Sequence, residues 1–305
     1  MITTRRYLGQ VDRRSRFTTV SLGWRTPSVG VPRLRDAISR AGEHGGPANQ
    51  PVALTWTPGD GAAVMTATLP EVAARSWIEN VINAEHSGVR EFGDPVLAVV
   101  GSAGVLEELE GTLRAMEKEG PPTPQPAIRS TLKQTTAQGF EQTFIIGQDP
   151  AADAGFAATF LAICLIAGGP GTLLPDAIQK SGYQAILQAS RGLQDSMPTV
   201  TWQVIASRPN GSAVLETALS TVAGFSVAEH AEAVEQAREF ARTNLNRAWQ
   251  SPLELARSLA HYEVMGWSGE LVRNPDAAVD RVAPAAIERA VEGLVRPIKE
   301  ILGRS

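Results

Sequence analysis

Residues 140–190 read FEQTFIIGQDPAADAGFAATFLAICLIAGGPGTLLPDAIQKSGYQAILQAS, and the order of elements in this stretch decides the fold. Phe140 to Gly147 is rich in aromatic and β-branched residues and closes on glycine, which predicts a strand. Asp153 to Ala167 predicts a long helix so apolar on every side that it belongs inside a core. A loop, GGPGTLLP, and a short segment, DAIQKSGYQAILQAS, follow. Thr199 to Ser207, TVTWQVIAS, reads as a further strand, and helical stretches near 211–224, 227–248, 251–266 and 283–301 finish the chain.

The preceding part runs in a similar order. FTTVSLGW, Phe17 to Trp24, alternates and predicts a strand. VPRLRDAISRAGEHGG predicts a short helix, with Pro32 suited to its first turn and Gly42, Gly45 and Gly46 ending it. Pro51–Trp56 and Ala62–Leu69 flank the turn signal TPGDG, so a β-hairpin is expected. LPEVAARSWIENVINAEH reads as an amphipathic helix with Val72, Trp77, Ile78 and Val81 on its apolar side. A buried strand, Pro95–Gly101, and a helix, VLEELEGTLRAMEKE, complete this part. The repeated order of strands and then helices predicts an α+β fold of two related sandwich halves, each an antiparallel sheet packed against helices.

GPPTPQPA, residues 120–127, holds four prolines in eight residues and favours extended polyproline geometry over packing. The junction is placed there: a shortened first half over 1–119, a linker over 120–127 and a second half over 128–305. The chain of 305 residues, 43% hydrophobic and 20% charged, has the composition of a folded globular protein. Its net charge of −4 gives no overall attraction to nucleic acid or to an anionic membrane. Arg5, Arg6, Arg13, Arg14, Arg16 and Arg25 make the first 25 residues locally basic, which is read as a solvated N-terminus. The apolar run Gly155–Ala167 falls short of the roughly 20 residues that span a bilayer. With no signal-peptide pattern at its start, the chain is expected in the cytoplasm.

Chemistry-bearing motifs are sparse. Cys164 is the single cysteine and sits inside an apolar run, so it reads as a core residue and excludes both a disulfide framework and a thiolate zinc site. The histidines are His44, His86, His230 and His261, and no two have the helical spacing that would share a metal. INAEH, residues 82–86, ends like an H-x-x-E-H motif but starts with isoleucine. VVGSAGVLEEL places glycines between strand and helix without the spacing of a phosphate-binding loop, and neither a P-loop nor a G-x-S-x-G elbow occurs.

Taken together, these pieces resemble the pitrilysin-like (insulinase-type, inverzincin) zinc peptidases. GDPVLAVVGSAGVLEELEGTLRAMEKEGPPTPQP looks like the segment that closes the first half of that family, and residues 140–190 are similar to the core of its second half. ARTNLNRAWQSPLELARSLAHYEVMGW fits the helices that follow. The family's zinc helix reads roughly G-L-x-H-L-L-E-H-M: its histidines bind zinc and its glutamate activates water. Laid onto GVPRLRDAI, residues 30–38, the resemblance puts Arg33 at the first histidine, Asp36 at the glutamate and Ala37 at the second histidine. A guanidinium cannot coordinate a cation and alanine offers no ligand. GDPVLAVVG also arrives far earlier than in the family, so the region expected to bear the last metal ligand is missing. An ordinary amphipathic helix without peptidase ancestry is the alternative for GVPRLRDAI.

The resemblance further implies how a peptide would be held. Family members bind substrate as an added strand at a sheet edge, for which ANQPVALTW, with Asn49, Gln50, Val52 and Ala53, is the expected counterpart. An arginine and a tyrosine of the second half grip the substrate, and Gln179 and Tyr183 of AIQKSGYQAI stand near those positions. Gln179 keeps hydrogen-bonding capacity but loses bidentate charge. The implied function is that of a catalytically inactive, peptide-binding partner of a homologous zinc-bearing peptidase subunit, with no cofactor in this chain and zinc expected only in the partner. A stand-alone peptide-binding or scaffold homodimer is the second expectation, and metal-free chemistry in the old cavity a third.

Overall fold

The elements of the chain, in a computed structural model, are β1 (Tyr7–Val11), β2 (Phe17–Arg25), α1 (Val31–Glu43), β3 (Ala53–Gly59), β4 (Ala62–Pro70), α2 (Glu71–Asn83), β5 (Val96–Gly101) and α3 (Ala103–Arg114), followed by β6 (Ile128–Thr135), β7 (Gly139–Gly147), α4 (Gly155–Ala167), α5 (Leu173–Lys180), β8 (Ala185–Gln194), β9 (Met197–Ser207), α6 (Gly211–Ala223), α7 (Ala231–Asn246), α8 (Pro252–Val264), α9 (Glu270–Arg273), α10 (Pro275–Asp280) and α11 (Pro284–Leu302). The structure describes residues 7–12, 17–25, 30–43, 51–59, 62–83, 92, 95–114, 128–135, 139–147, 155–168, 171–194, 197–265, 267 and 270–302. Two compact units result, the first made of Met1–Thr123, Leu193–Ser196 and Arg247–Arg273, the second of Pro124–Gly192, Met197–Asn246 and Asn274–Ser305. The proline-rich stretch 120–127 lies outside the described residues.

The first unit is built on a five-stranded sheet ordered β1-β5-β2-β4-β3. The expected hairpin is present as β3 and β4, paired antiparallel from Ala53↔Thr68 to Gly59↔Ala62. Because side chains alternate along a strand, β2 divides its residues between two faces. Val20, Leu22 and Trp24 join Met65 and Leu69 of β4 in a core closed by Leu34, Ala37 and Ile38 of α1, Trp77, Ile78 and Val81 of α2 and Leu109 of α3. Val72, expected on the apolar side of α2, is 93% exposed; Ala73 and Ala74 take the buried positions of that first turn. One edge differs from the expected solvated terminus: Tyr7–Val11 pairs parallel with β5 and buries Leu8.

The opposite face of the same sheet is covered by α8, which lies far along the chain in the part that the sequence assigns to the second half. The physical reason is a strip of small residues. Thr19, Ser21 and Thr66 are buried there, and the Ser21 and Thr66 hydroxyls satisfy each other at 2.7 Å. Gly23 lies on this face, where an added Cβ would stand 2.3 Å from Val264 Cγ2. Small residues thus let α8 seat Ala256, Leu259, Ala260 and Val264 almost on the strands. The helix starts where Ser251 Oγ accepts from the Glu254 N–H at 3.1 Å, with Pro252 in the first turn. At its other end Arg25 Nε donates to the Val264 carbonyl at 2.9 Å, placing a cation at the helix C-terminus.

The second unit is built on a four-stranded sheet ordered β6-β7-β9-β8. Phe140, Phe144 and Ile146 of β7 and Val200, Trp202 and Val204 of β9 form its buried face, with the Phe144 and Trp202 rings stacked at 5.6 Å. α4 is apolar all round, as expected, and packs among α5, α7 and α11. Gly211 opens α6 directly over Phe140, where a Cβ would fall 2.0 Å from the ring. Cys164 is buried in α4, and desolvation pushes its thiol up from 9.0 to about 12. The folded protein therefore holds this proton more tightly than the unfolded chain. Its thiol leaves stability unchanged below pH 9.0 and weakens the fold as pH rises from there towards 12.

Gly23→Ala is expected to lower stability by about 1–3 kcal/mol through overpacking against Val264, with Val264→Ala recovering part of the loss, as measured by denaturant unfolding. Unchanged stability in Gly23→Ala would contradict the seating of α8. At pH 8 the Cys164 thiol should resist an aromatic disulfide reagent in the folded protein and react fully in denaturant; labelling at the rate of a free thiol would contradict its burial.

Candidate functional site

GVPRLRDAI forms the start of α1, and the helix separates the residues that the resemblance aligns with the zinc motif. Arg33 and Asp36 are exposed, whereas Ala37 is 1% exposed and packs in the core beside Leu34 and Ile38. An arginine, an aspartate and a core alanine do not fit zinc: one carboxylate is the only anionic donor among the three. Among the described residues no group of three or more His, Cys, Asp or Glu side chains is placed to hold a metal ion. His44 and His86 lie outside the described residues. His230 sets Nδ1 3.0 Å from the Ser226 carbonyl, and His261 is on α8.

The helix layer positions α1 relative to the sheet edge. α3 packs over β1 and β5, α2 over β2 and β4, and α1 against α2, so α1 lies at the β3 end of the layer. Val31 of α1 and Trp56 of β3 both pack against the same core. β3 is the outermost strand of that sheet; Val52, just before it, is 67% exposed, and on the strand Leu54 is 43% exposed with Ala53 exposed beside it. Asn49 and Gln50 lie outside the described residues. The edge therefore offers backbone groups beside an apolar row formed by Val52, Leu54 and Trp56, the arrangement that accepts an extended polypeptide.

Gln179 and Tyr183 belong to the second unit, where they bracket the end of α5. Gly182 has φ 76°, its N–H donates to the Gln179 carbonyl at 3.0 Å, and the Tyr183 N–H donates to Ile178 at 3.2 Å. This paired closure is a Schellman turn, and the left-handed glycine makes it possible. It turns the chain into β8, leaving Gln179 exposed and Tyr183 half-buried at the mouth of that strand. Sequence reasoning missed β8 itself: Ala185–Gln194 is the outer strand of the second sheet, and its residues alternate between half-buried and exposed as far as Arg191.

No family model and no curated protein matches the sequence. Solved structures do. The peptidase M16 inactive domain from Pseudomonas fluorescens is similar with a TM-score of 0.60 at 12% identity, over 95% of this chain and 94% of that one. An M16-like peptidase from Alicyclobacillus acidocaldarius matches with a TM-score of 0.53 at 13% identity, over 97% and 95%. A chain of complex III2 from Candida albicans matches with a TM-score of 0.55 at 10% identity, over 96% and 92%.

Introducing histidine at position 37 tests the placement of α1. Ala37→His is expected to destabilise the protein by about 1–3 kcal/mol, because an imidazole must displace core atoms. Arg33→His and Asp36→Glu, at exposed positions, should each stay within about 0.5 kcal/mol of wild type. The triple variant should not cleave peptides, since two histidines on α1 leave a catalytic zinc short of its third protein ligand; cleavage by it would contradict that account. Across nearly its whole length, the chain has the two-sheet α+β fold of M16 peptidase structures, one of them an inactive domain.

Proposed function

We propose that this protein is a non-catalytic, peptide-binding partner subunit of an active zinc peptidase of the same fold, working in peptide or precursor processing. The observation that carries the proposal is the state of α1: in a peptidase fold, the helix that aligns with the metal motif presents Arg33, Asp36 and a core Ala37. Removing the ligands removes the activated water, while the exposed β3 edge retains the capacity to pair with an extended chain. Val52, Ala53 and the neighbouring Asn49 and Gln50 are assigned to that strand contact, and Gln179 and Tyr183 to a second contact with the peptide. The likeness to an inactive M16 domain supports this division of labour, as does the match to a chain of complex III2. Among the described residues no helix is long and apolar enough to cross a membrane; we assign the protein to the cytoplasm.

Co-expression with zinc peptidases of this fold provides the test. The expected result is a stable 1:1 complex that cleaves unfolded peptides faster than the zinc subunit alone. Tyr183→Ala should reduce that gain by about tenfold while leaving the thermal midpoint of the isolated chain nearly unchanged. Failure to associate with any such subunit, together with binding of intact peptide by this chain alone, would favour a scaffold or peptide-binding homodimer instead.

A further inference from the structure

Charge is unevenly shared among the three helices that cover one face of the first sheet. α1 holds Arg33, Arg35 and Arg40 against Asp36 and Glu43. α2 has two glutamates to one arginine, and that Arg75 already donates to Glu79 at 3.0 Å and to Glu108 of α3 at 3.1 Å. α3 has three glutamates to one arginine. Of the three, only α1 is basic, and it is the helix at the β3 end of the layer, in a chain whose net charge is −4. Neither β3 nor β4 carries a charged residue, so among these elements the charge nearest the edge belongs to α1.

Topology lays α1 along the length of β3. β2 and β3 both run antiparallel to β4 and so point the same way, and the registers set Arg25 level with Gly59 and Thr19 level with Ala53. The chain leaves β2 at Arg25 and enters β3 at Ala53, so α1 between them returns it from the Gly59 end to the Ala53 end. The thirteen residues of α1 rise about 20 Å and the seven of β3 about 23 Å, which matches helix to strand. Arg33, Arg35 and Arg40 are all exposed; Arg33 and Arg40, seven residues apart, share one flank of the helix and Arg35 takes the other. Arg33 and Arg40 also interact within the chain. A guanidinium has five N–H donors, so an exposed one can serve a second partner.

We propose that the peptide taken up along β3 is acidic, with carboxylates on the row of side chains that faces α1, where Arg33, Arg35 and Arg40 bind them. The proposal rests on the peptide pairing at β3 set out above and adds its chemistry. Leu54 and Trp56 share the sheet face that α1 covers, since Trp56 packs on the same core as Val31. An added strand places alternate side chains on that face, and a slide of one residue lets an acidic row choose it. There a carboxylate can accept two parallel N–H bonds from one guanidinium, a pairing that an amide reproduces only in part and an ammonium opposes.

Fluorescence anisotropy of the full chain, alone, with three labelled unstructured peptides tests this. The peptides differ only at three alternate positions, which hold Glu, Gln or Lys, and each is about ten residues long, enough to span β3. The Glu peptide is expected to bind about tenfold more tightly than the Gln peptide, and the Lys peptide most weakly, with the preference shrinking as salt is raised. The variant Arg33→Gln/Arg35→Gln/Arg40→Gln should bring the Glu and Gln peptides within about twofold of each other while binding the Gln peptide as wild type does. Equal affinity of wild type for the Glu and Gln peptides overturns the acidic preference and leaves the pairing at β3 standing, whereas no binding of any peptide overturns both. A preference that the triple variant retains overturns the assignment to α1. If that variant does not fold, amide hydrogen exchange of wild type with the Glu peptide decides: protection gained within Ala53–Gly59 supports the site, and its absence there overturns it.

Discussion

The contact of α8 with Gly23 is the constraint on which the first unit depends. A five-stranded sheet with helices on one face still has a second face to cover, and this sheet meets that need with a helix encoded well after the second sheet has begun. Only a strip of glycine, serine and threonine allows the helix backbone to approach so closely, and the buried Ser21–Thr66 hydroxyl pair removes the desolvation cost of placing polar side chains there. Because β2 and β4 are buried on both faces, the outer strand β3 is held on a rigid support and its backbone is presented in a fixed register.

That rigidity frames the functional interpretation. A site that binds an extended peptide needs a fixed edge more than it needs reactive side chains, and the first sheet provides one. At α1 the inward-facing position 37 is an alanine that belongs to the core, and the outward positions carry Arg33 and Asp36. Filling position 37 with a small apolar residue secures packing at the same point where a ligand would otherwise weaken it.

Much of the fold was legible because hydrophobic periodicity marked β2, β4, β5, β7 and β9 and the apolar helix α4, and because glycines and prolines marked their ends. The edges were harder. β1 is five residues in a basic stretch, and its pairing with β5 is a long-range parallel contact that leaves no local signature. β6 and β8 lack the buried alternation of central strands, so IRSTLKQT and AILQASRGLQ carry too weak a pattern to read. Membership of α8 in the first unit was invisible for a related reason: its amphipathic pattern shows that a face is buried but not which sheet buries it. At the site, the helix could be read from GVPRLRDAI, whereas the exposure of Val52 and Leu54 and the Schellman turn before Tyr183 required coordinates.

The central proposal is that α1 of this chain, with Arg33, Asp36 and a core Ala37, does not hold a zinc ion. Metal content after saturation with zinc and desalting of the full-length, untagged chain tests it most directly. The account predicts far less than one equivalent of zinc per chain; one full equivalent, retained against a weak chelator and lost on mutation of α1, would contradict it.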